Sequence, residues 1–333
     1  MDSSLFLLVL IVLAALGFGF SNGLNDAANA IATVIGSRVL PPRTAIAMAS
    51  VFNLLGTLTG GLLGAFVART IGKGIVMPEA LTLLTVVAAV AAATLWVVAA
   101  SYYGMPLSVS HSLIAALLGA GLAAAGAGAV VWGIFTWVLL AVFFAPLLGF
   151  FGSFLLMVLV MWIFRRTPPD RVNTIFSYLQ IFAAAFVAYA HGKNDGQMPI
   201  GIIALGLVLY TGAEFHVPLW SILASAAAVA LGISFGGWRV IRTVGTKITT
   251  LRPVHGSVAE TSAAAIIEAA SNLGIPVSTT QSISGSVMGV GATRRLSAVR
   301  WGVARNIMMT WLVTFPACIG LGWVLSSFLN LFA

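Results

Sequence analysis

Charge is scarce in this chain. Asp, Glu, Lys and Arg make up only 7% of its 333 residues, where an average soluble domain carries roughly 25%. Eight acidic and sixteen basic side chains cannot cover a water-soluble globule of this size. Cysteine is almost missing too: Cys318 has no partner in the chain, which excludes a disulfide scaffold, and its place in the last apolar run reads as a small buried hydrophobe. A Walker sequence, a Cys/His zinc spacing and a Ser/His/Asp constellation are likewise lacking, so neither an enzyme nor an ATP-driven pump is expected, and no cofactor. What the chain has is apolar: 60% of its residues and a mean hydropathy of +1.07. Apolar stretches of about 20 residues or more recur from end to end, the mark of a polytopic, all-α membrane protein. The net charge of +8 therefore speaks for loops at lipid headgroups and against nucleic acid. Met1-Asp2-Ser3-Ser4 and the apolar run to Phe20 lack the basic n-region of a signal peptide, and a similar run recurs from Ile175 to Ala190. The first run reads as an integral segment.

An internal duplication organises the sequence at an offset of about 170 residues. Gly23-Leu24-Asn25-Asp26 matches Gly192-Lys193-Asn194-Asp195, and Pro106-Leu107-Ser108-Val109-Ser110-His111-Ser112 matches Pro276-Val277-Ser278-Thr279-Thr280-Gln281-Ser282. Weaker echoes keep the order: Arg69-Thr70-Ile71-Gly72 with Arg242-Thr243-Val244-Gly245, Trp132-Gly133 with Trp301-Gly302, and Pro146 with Pro316. The expected organisation is a first transmembrane repeat over 1–164, a cytoplasmic linker over 165–171 with Pro168-Pro169, and a second repeat over 172–333. Apolar segments fall at 4–36, 44–68, 81–103, 106–124 and 130–164, then at 174–211, 217–238, 256–274, 276–293 and 307–330. Five per half is odd, so the halves should insert with inverted topology. Loop charges agree: Arg38 and Arg43 follow the first segment, but its counterpart after Thr211 is followed by no Lys or Arg. Conversely, Arg294, Arg295 and Arg300 occupy a loop whose first-half counterpart has none. Placing loops 38–43, 239–252 and 294–305 and the linker inside puts 13 of the 16 basic residues in the cytoplasm, with both termini outward.

Three segments exceed 30 residues, more than a bilayer requires, so broken or re-entrant helices are expected. The Gly-x-Asn-Asp elements should supply two breaks, and Pro106 and Pro276 should open polar turns before the hydroxyl runs. Asp26 and Asp195 lie inside apolar segments, where a carboxylate costs roughly 2.5–3.5 kcal/mol. Paired with Asn25 and Asn194, they offer hard oxygens suited to Na⁺, or a carboxylate able to take a proton. The hydroxyls of Ser108, Ser110, Ser278, Thr279 and Thr280, with Gln281, stand at helix starts, whose unpaired N–H groups and dipole hold an oxyanion. N-capping is the competing use of such residues. His111, Ser112, Ser282, Asn29 and Gln197 are secondary candidates. Glu268 is intramembrane without an acidic counterpart, Val98 standing in its place, and Glu260 reads as a cap near its segment's end. Arg69 and Arg242 read as interfacial anchors, and Gly60 and Gly64 as a helix-packing pair.

With these motifs in place the sequence resembles the inorganic phosphate transporter (PiT) family. Asn22-Gly23-Leu24-Asn25-Asp26-Ala27-Ala28-Asn29-Ala30-Ile31-Ala32-Thr33 is similar to its repeated signature, with Leu24 where Ala is usual, and Gly104-Met105-Pro106 with Ser108, Ser110 and His111 is similar to its second element. His191-Gly192-Lys193-Asn194-Asp195-Gly196-Gln197 and Gly274-Ile275-Pro276-Val277-Ser278-Thr279-Thr280-Gln281 resemble the paired elements of bacterial members. The family's long hydrophilic central insert is reduced here to a short linker. The resemblance implies symport of inorganic phosphate with Na⁺ or H⁺ by alternating access, in the cytoplasmic (inner) membrane of a prokaryote. Asn25, Asp26, Asn194 and Asp195 would serve the coupling cation, and would hold Na⁺ if sodium is coupled. Ser108, Ser110, Ser278, Thr279, Thr280 and Gln281 would serve the phosphate and part of the cation shell. A sulfate or other oxyanion permease of the same fold, or a passive anion channel, is the alternative reading. Besides phosphate, the cation and membrane lipid, a second copy of the chain is a partner that the small-residue faces would suit.

Overall fold

The computed structural model describes residues 3–332; Met1 and Asp2, from the N-terminal stretch read above, and Ala333 lie outside the described residues. The first half forms α1 (Ser3–Gly36), α2 (Pro42–Leu62), α3 (Phe66–Lys73), α4 (Leu83–Tyr103), α5 (Val109–Ala125) and α6 (Trp132–Ile163). The second forms α7 (Pro169–Asp195), α8 (Gln197–Thr211), α9 (Leu219–Phe235), α10 (Trp238–Arg242) with a π-helical turn at Thr243–Lys247, α11 (Pro253–Asn272), α12 (Thr279–Ala292) and α13 (Trp301–Leu329). No strand occurs among the described residues. Six helical stretches are long and apolar enough to cross a membrane, α7 with α8 counting as one, and α9 with α10 adds a seventh bent by 61°.

The two Gly-x-Asn-Asp elements do not behave alike. The second ends α7 at Asp195, whereas the first lies inside α1, which runs on without interruption to Gly36. Proline explains the difference. Pro199 has no N–H to give the Asp195 carbonyl one turn back, so the helix breaks there, and the Asn22 carboxamide donates to that carbonyl instead (3.4 Å). The matching residue in α1 is Ala30, which keeps its N–H. The long α6 is also continuous, although Pro146 lies within it.

The polar turns after α4 and α11 do form, each opened by a glycine in the left-handed region, Gly104 (φ 68°) and Gly274 (φ 70°). Each turn is the tip of a hairpin. The Val131 N–H donates to the Ile75 carbonyl, which holds the start of α4 and the end of α5 at one face; the Arg300 N–H donates to the Ile248 carbonyl and does the same for α11 and α12. The tips then meet in the interior, where the Ser110 hydroxyl donates to the Val277 carbonyl (3.2 Å). Hairpins rooted at opposite faces whose tips touch are re-entrant and inverted, the architecture of two inverted-topology repeats. At 17 and 14 residues, α5 and α12 reach about 25 and 21 Å, short of the roughly 30 Å hydrocarbon core.

Packing weaves the halves together. α1 crosses α9, α7 crosses α2, hairpin α4–α5 lies on α13, and hairpin α11–α12 lies on α6. Absent side chains set the first two crossings. A Cβ on Gly23 would overlap the Val229 carbonyl while one on Gly232 would overlap that of Phe20; Gly192 and Gly56 stand in the same relation to the carbonyls of Asn53 and Tyr189. Gly23 thus serves close approach of two backbones, with no break in α1. Gly60 packs against the Lys193 carbonyl as expected, but Gly64 (φ 128°) marks the bend between α2 and α3.

Candidate functional site

The crossing helices and the tips converge on one polar cluster. Asp26 comes from α1, one turn before Asn29; His191 and Asp195 share a face of α7 at i and i+4; Thr279 and Thr280 open α12. All are at most 1% exposed. The Asn29 carboxamide donates to both threonine hydroxyls, at 3.0 and 2.9 Å. Those hydroxyls pass the bonds on: Thr280 donates to Asp26 Oδ1 (3.0 Å), and Thr279 to Asp195 Oδ2 (3.1 Å), lying 3.5 Å from Asp26 Oδ2. His191 Nε2 is 3.4 Å from Oδ2 of both aspartates, while its Nδ1 accepts from the Asn53 carboxamide (2.6 Å). Nε2 therefore carries the hydrogen in the neutral ring. Asp26, His191 and Asp195 each present one ligand atom within 4.8 Å of the others. Two carboxylates this close in a dry interior repel, and the cluster calls for a cation or proton between them.

The remaining expected residues fall into distinct uses. Ser108 and Ser278 are N-caps, their hydroxyls accepting from the His111 and Gln281 N–H groups (3.2 Å each), and Ser112 and Ser282 donate back to the carbonyls of Ser108 and Ser278. Asn25 and Asn194 tether the hairpins: their carboxamides donate to Ser101 and Ser271 on α4 and α11, at 2.7 and 2.9 Å. Asn194 also accepts from the Val277 N–H (3.2 Å). Gln197 caps α3 through the Val67 and Ala68 N–H groups. Buried polar atoms without a protein partner remain near the starts of α5 and α12 and in the cluster: both ring nitrogens of His111, whose ring lies 5.2 Å from that of Phe315 on α13, Oε1 of Gln281 and Oδ1 of Asp195.

His191, Asn53, Asn22 and the pair Ser101/Ser271 were not singled out from sequence. Two signals were present: His191 precedes Asp195 by one helical turn, as Asn22 precedes Asp26, and Ser-x-x-Gly-x-Pro recurs at Ser101 and Ser271. Glu260 is no cap but lies wholly buried in α11, where the Thr33 hydroxyl donates to it. Glu268 pairs with Lys193, whose Nζ also donates to Asn272 Oδ1 (2.8 Å). The first half carries Leu24 and Val98 at the matching positions, so two apolar residues stand where the second half has the ion pair. Lys193→Leu alone should lower the thermal midpoint in detergent by stranding Glu268, and Lys193→Leu with Glu268→Val should restore it. A double variant no more stable than the single one would dismiss the pairing.

Inverted repeats, broken spans and a buried carboxylate cluster at the meeting of two re-entrant tips define a membrane transporter. Residues 22–322 match the phosphate transporter family, and the chain belongs to that family. A protein of Rhizobium meliloti (strain 1021) named "Probable low-affinity inorganic phosphate transporter" is 45% identical over 313 residues, 93% of each chain. A protein of the same name from Bacillus subtilis (strain 168) is 42% identical over 99% of each. A solved structure described as "The sodium-dependent phosphate transporter" superposes with a TM-score of 0.92 at 28% identity, covering 98% of this chain and 100% of that one. The relatives are transporters by name, in keeping with the expectation that this chain is an integral membrane protein and not an enzyme.

Proposed function

We propose that the protein is a symporter that couples inward movement of Na⁺ to uptake of inorganic phosphate across the cytoplasmic membrane of a prokaryote. The observation that carries this reading is the convergence of Asp26 and Asp195, one from each repeat, on a fully buried centre flanked by the hydroxyls of Thr279 and Thr280. Oxygen-rich, anionic and dry, such a centre suits a hard monovalent cation, and the solved relative is called sodium-dependent. The cation cancels the charge of the pair. Phosphate then docks where the hairpin tips meet, on Ser110, Gln281 and His111 and on the N–H groups that open α5 and α12, which have no intrahelical partner. Asn25 and Asn194 act by fixing the two tips. The repeats run over 1–164 and 172–333, with the linker 165–171 inside.

Labelled phosphate uptake into proteoliposomes tests this. An inward Na⁺ gradient should drive accumulation above equilibrium, excess sulfate should leave it largely intact, and a proton gradient in Na⁺-free buffer should drive none. Accumulation of sulfate alone, or equilibration without accumulation, would refute phosphate symport. One observation favours a second reading, coupling to H⁺: His191 stands between the two carboxylates, and Asn53 can turn its free Oδ1 toward a protonated ring as readily as its amide toward a neutral one. Proton-driven accumulation without Na⁺ would select it.

A further inference from the structure

Each hairpin tip is held by a threonine from the other repeat. The Thr70 hydroxyl, on α3, donates to the Gly274 carbonyl of the second tip (2.7 Å), and the Thr243 hydroxyl, at the end of α10, to the Gly104 carbonyl of the first (3.2 Å). The two residues are counterparts in the duplication, and so are the glycines. A cavity stands beside each bond: about 400 Å³ between Thr70, Trp137 and Gly274–Pro276, and about 620 Å³ between Thr243, Asn306 and Gly104–Pro106. The first lies toward the face where α3 ends and α6 begins, the second toward the opposite face, where Lys247 lines it.

Each hydroxyl also has a second acceptor, the carbonyl one turn back in its own helix: Phe66 for Thr70 at 3.3 Å and Arg239 for Thr243 at 3.0 Å. A hydroxyl has one proton to give, so each threonine is poised between holding the tip and bonding its own helix. Releasing the tip leaves no buried donor unpaired, which makes the bond easy to break and remake. The two are not balanced equally. Thr70 sits closer to the tip than to its own helix, and Thr243 closer to its own helix than to the tip.

We propose that Thr70 and Thr243 are positioning residues that latch the two hairpin tips from opposite faces, and that transport proceeds by releasing one latch at a time. The Thr70 latch closes the outer path and the Thr243 latch the inner one, the inner being the readier to open in the present structure. This rests on the transporter reading above, and its test does not depend on which anion moves.

Val109, buried at the start of α5, serves as reporter: V109C in a C318S background, reconstituted in proteoliposomes, labelled with a membrane-impermeant methanethiosulfonate added outside or trapped inside. T70V should raise the rate of labelling from one side by about five- to ten-fold, the factor one lost hydrogen bond allows. T243V should raise it from the other side. T70S and T243S, which keep the hydroxyl, should label like the parent, and both valine variants should lose turnover while KM for phosphate changes less than about two-fold. Opposite-sided effects support the proposal, even with the sides exchanged, which would correct only the orientation. Unchanged labelling in both variants, or increases from the same side, would overturn it. Side-specific labelling in a protein that carries no phosphate would leave the latches standing and refute the proposed substrate.

Discussion

Gradient-driven uptake should fall by at least about 100-fold when Asp26 or Asp195 is replaced by Asn, the scale expected when one member of a buried charged set is removed at roughly 3–5 kcal/mol. The substitution keeps the volume and an oxygen to accept from Thr279 or Thr280, so the variants should insert and remain monodisperse in detergent. The loss is then electrostatic. With one carboxylate gone, the centre no longer needs a cation to cancel repulsion, and a phosphate gradient alone should still equilibrate slowly where a Na⁺ gradient no longer drives accumulation. Asp26→Asn should be the more severe, because both Asp26 oxygens face hydroxyl donors while Asp195 Oδ1 has no protein partner. Full coupled accumulation in both variants would remove the pair from the coupling mechanism.

The architecture and the repeated motifs that converge on the candidate site were legible because duplication is visible without any structural knowledge. Two motifs repeated in order marked the segments that meet, and odd parity with inverted loop charge gave the inverted insertion. The uses of individual residues were not legible to the same depth. Ser108 and Ser278 stand in a list of hydroxyls as candidate ligands, and their use as caps was not legible beside it, since capping is decided by backbone geometry at one turn. Asn25 and Asn194 look like ligands beside an aspartate, yet their partners Ser101 and Ser271 lie about 76 residues away along the chain. The break expected in both halves occurs in one, and there the sequence did hold the reason, since Pro199 faces Ala30 across the repeat. His191 was hidden because its first-half counterpart is Asn22, so comparing the halves masked the one ring that touches both carboxylates.

The interwoven packing bears on what moves. Since α1 crosses α9 and α7 crosses α2, the two sequence repeats are not separate bodies; four helices drawn from both form a central frame, and each hairpin packs between that frame and the last helix of the opposite half. Gly192→Ala should therefore damage the frame and the site together. Its Cβ would overlap the Asn53 carbonyl, pushing α2 from α7, and Asn53 is the residue that orients His191. Overpacking of this kind costs about 1–3 kcal/mol, so the thermal midpoint in detergent should drop and uptake should be lost even where the protein still inserts. Gly17→Ala, in the same class of helix position but with nothing within 4 Å of the added Cβ, should leave uptake intact and stabilise α1 by up to about 1 kcal/mol. If both variants melt and transport alike, the frame is not held by backbone approach at Gly192, and the coupling of helix crossing to His191 has no basis. If Gly192→Ala and the reciprocal Gly56→Ala both fail while Gly17→Ala does not, the same contact that joins the two repeats also sets the geometry of the carboxylate centre.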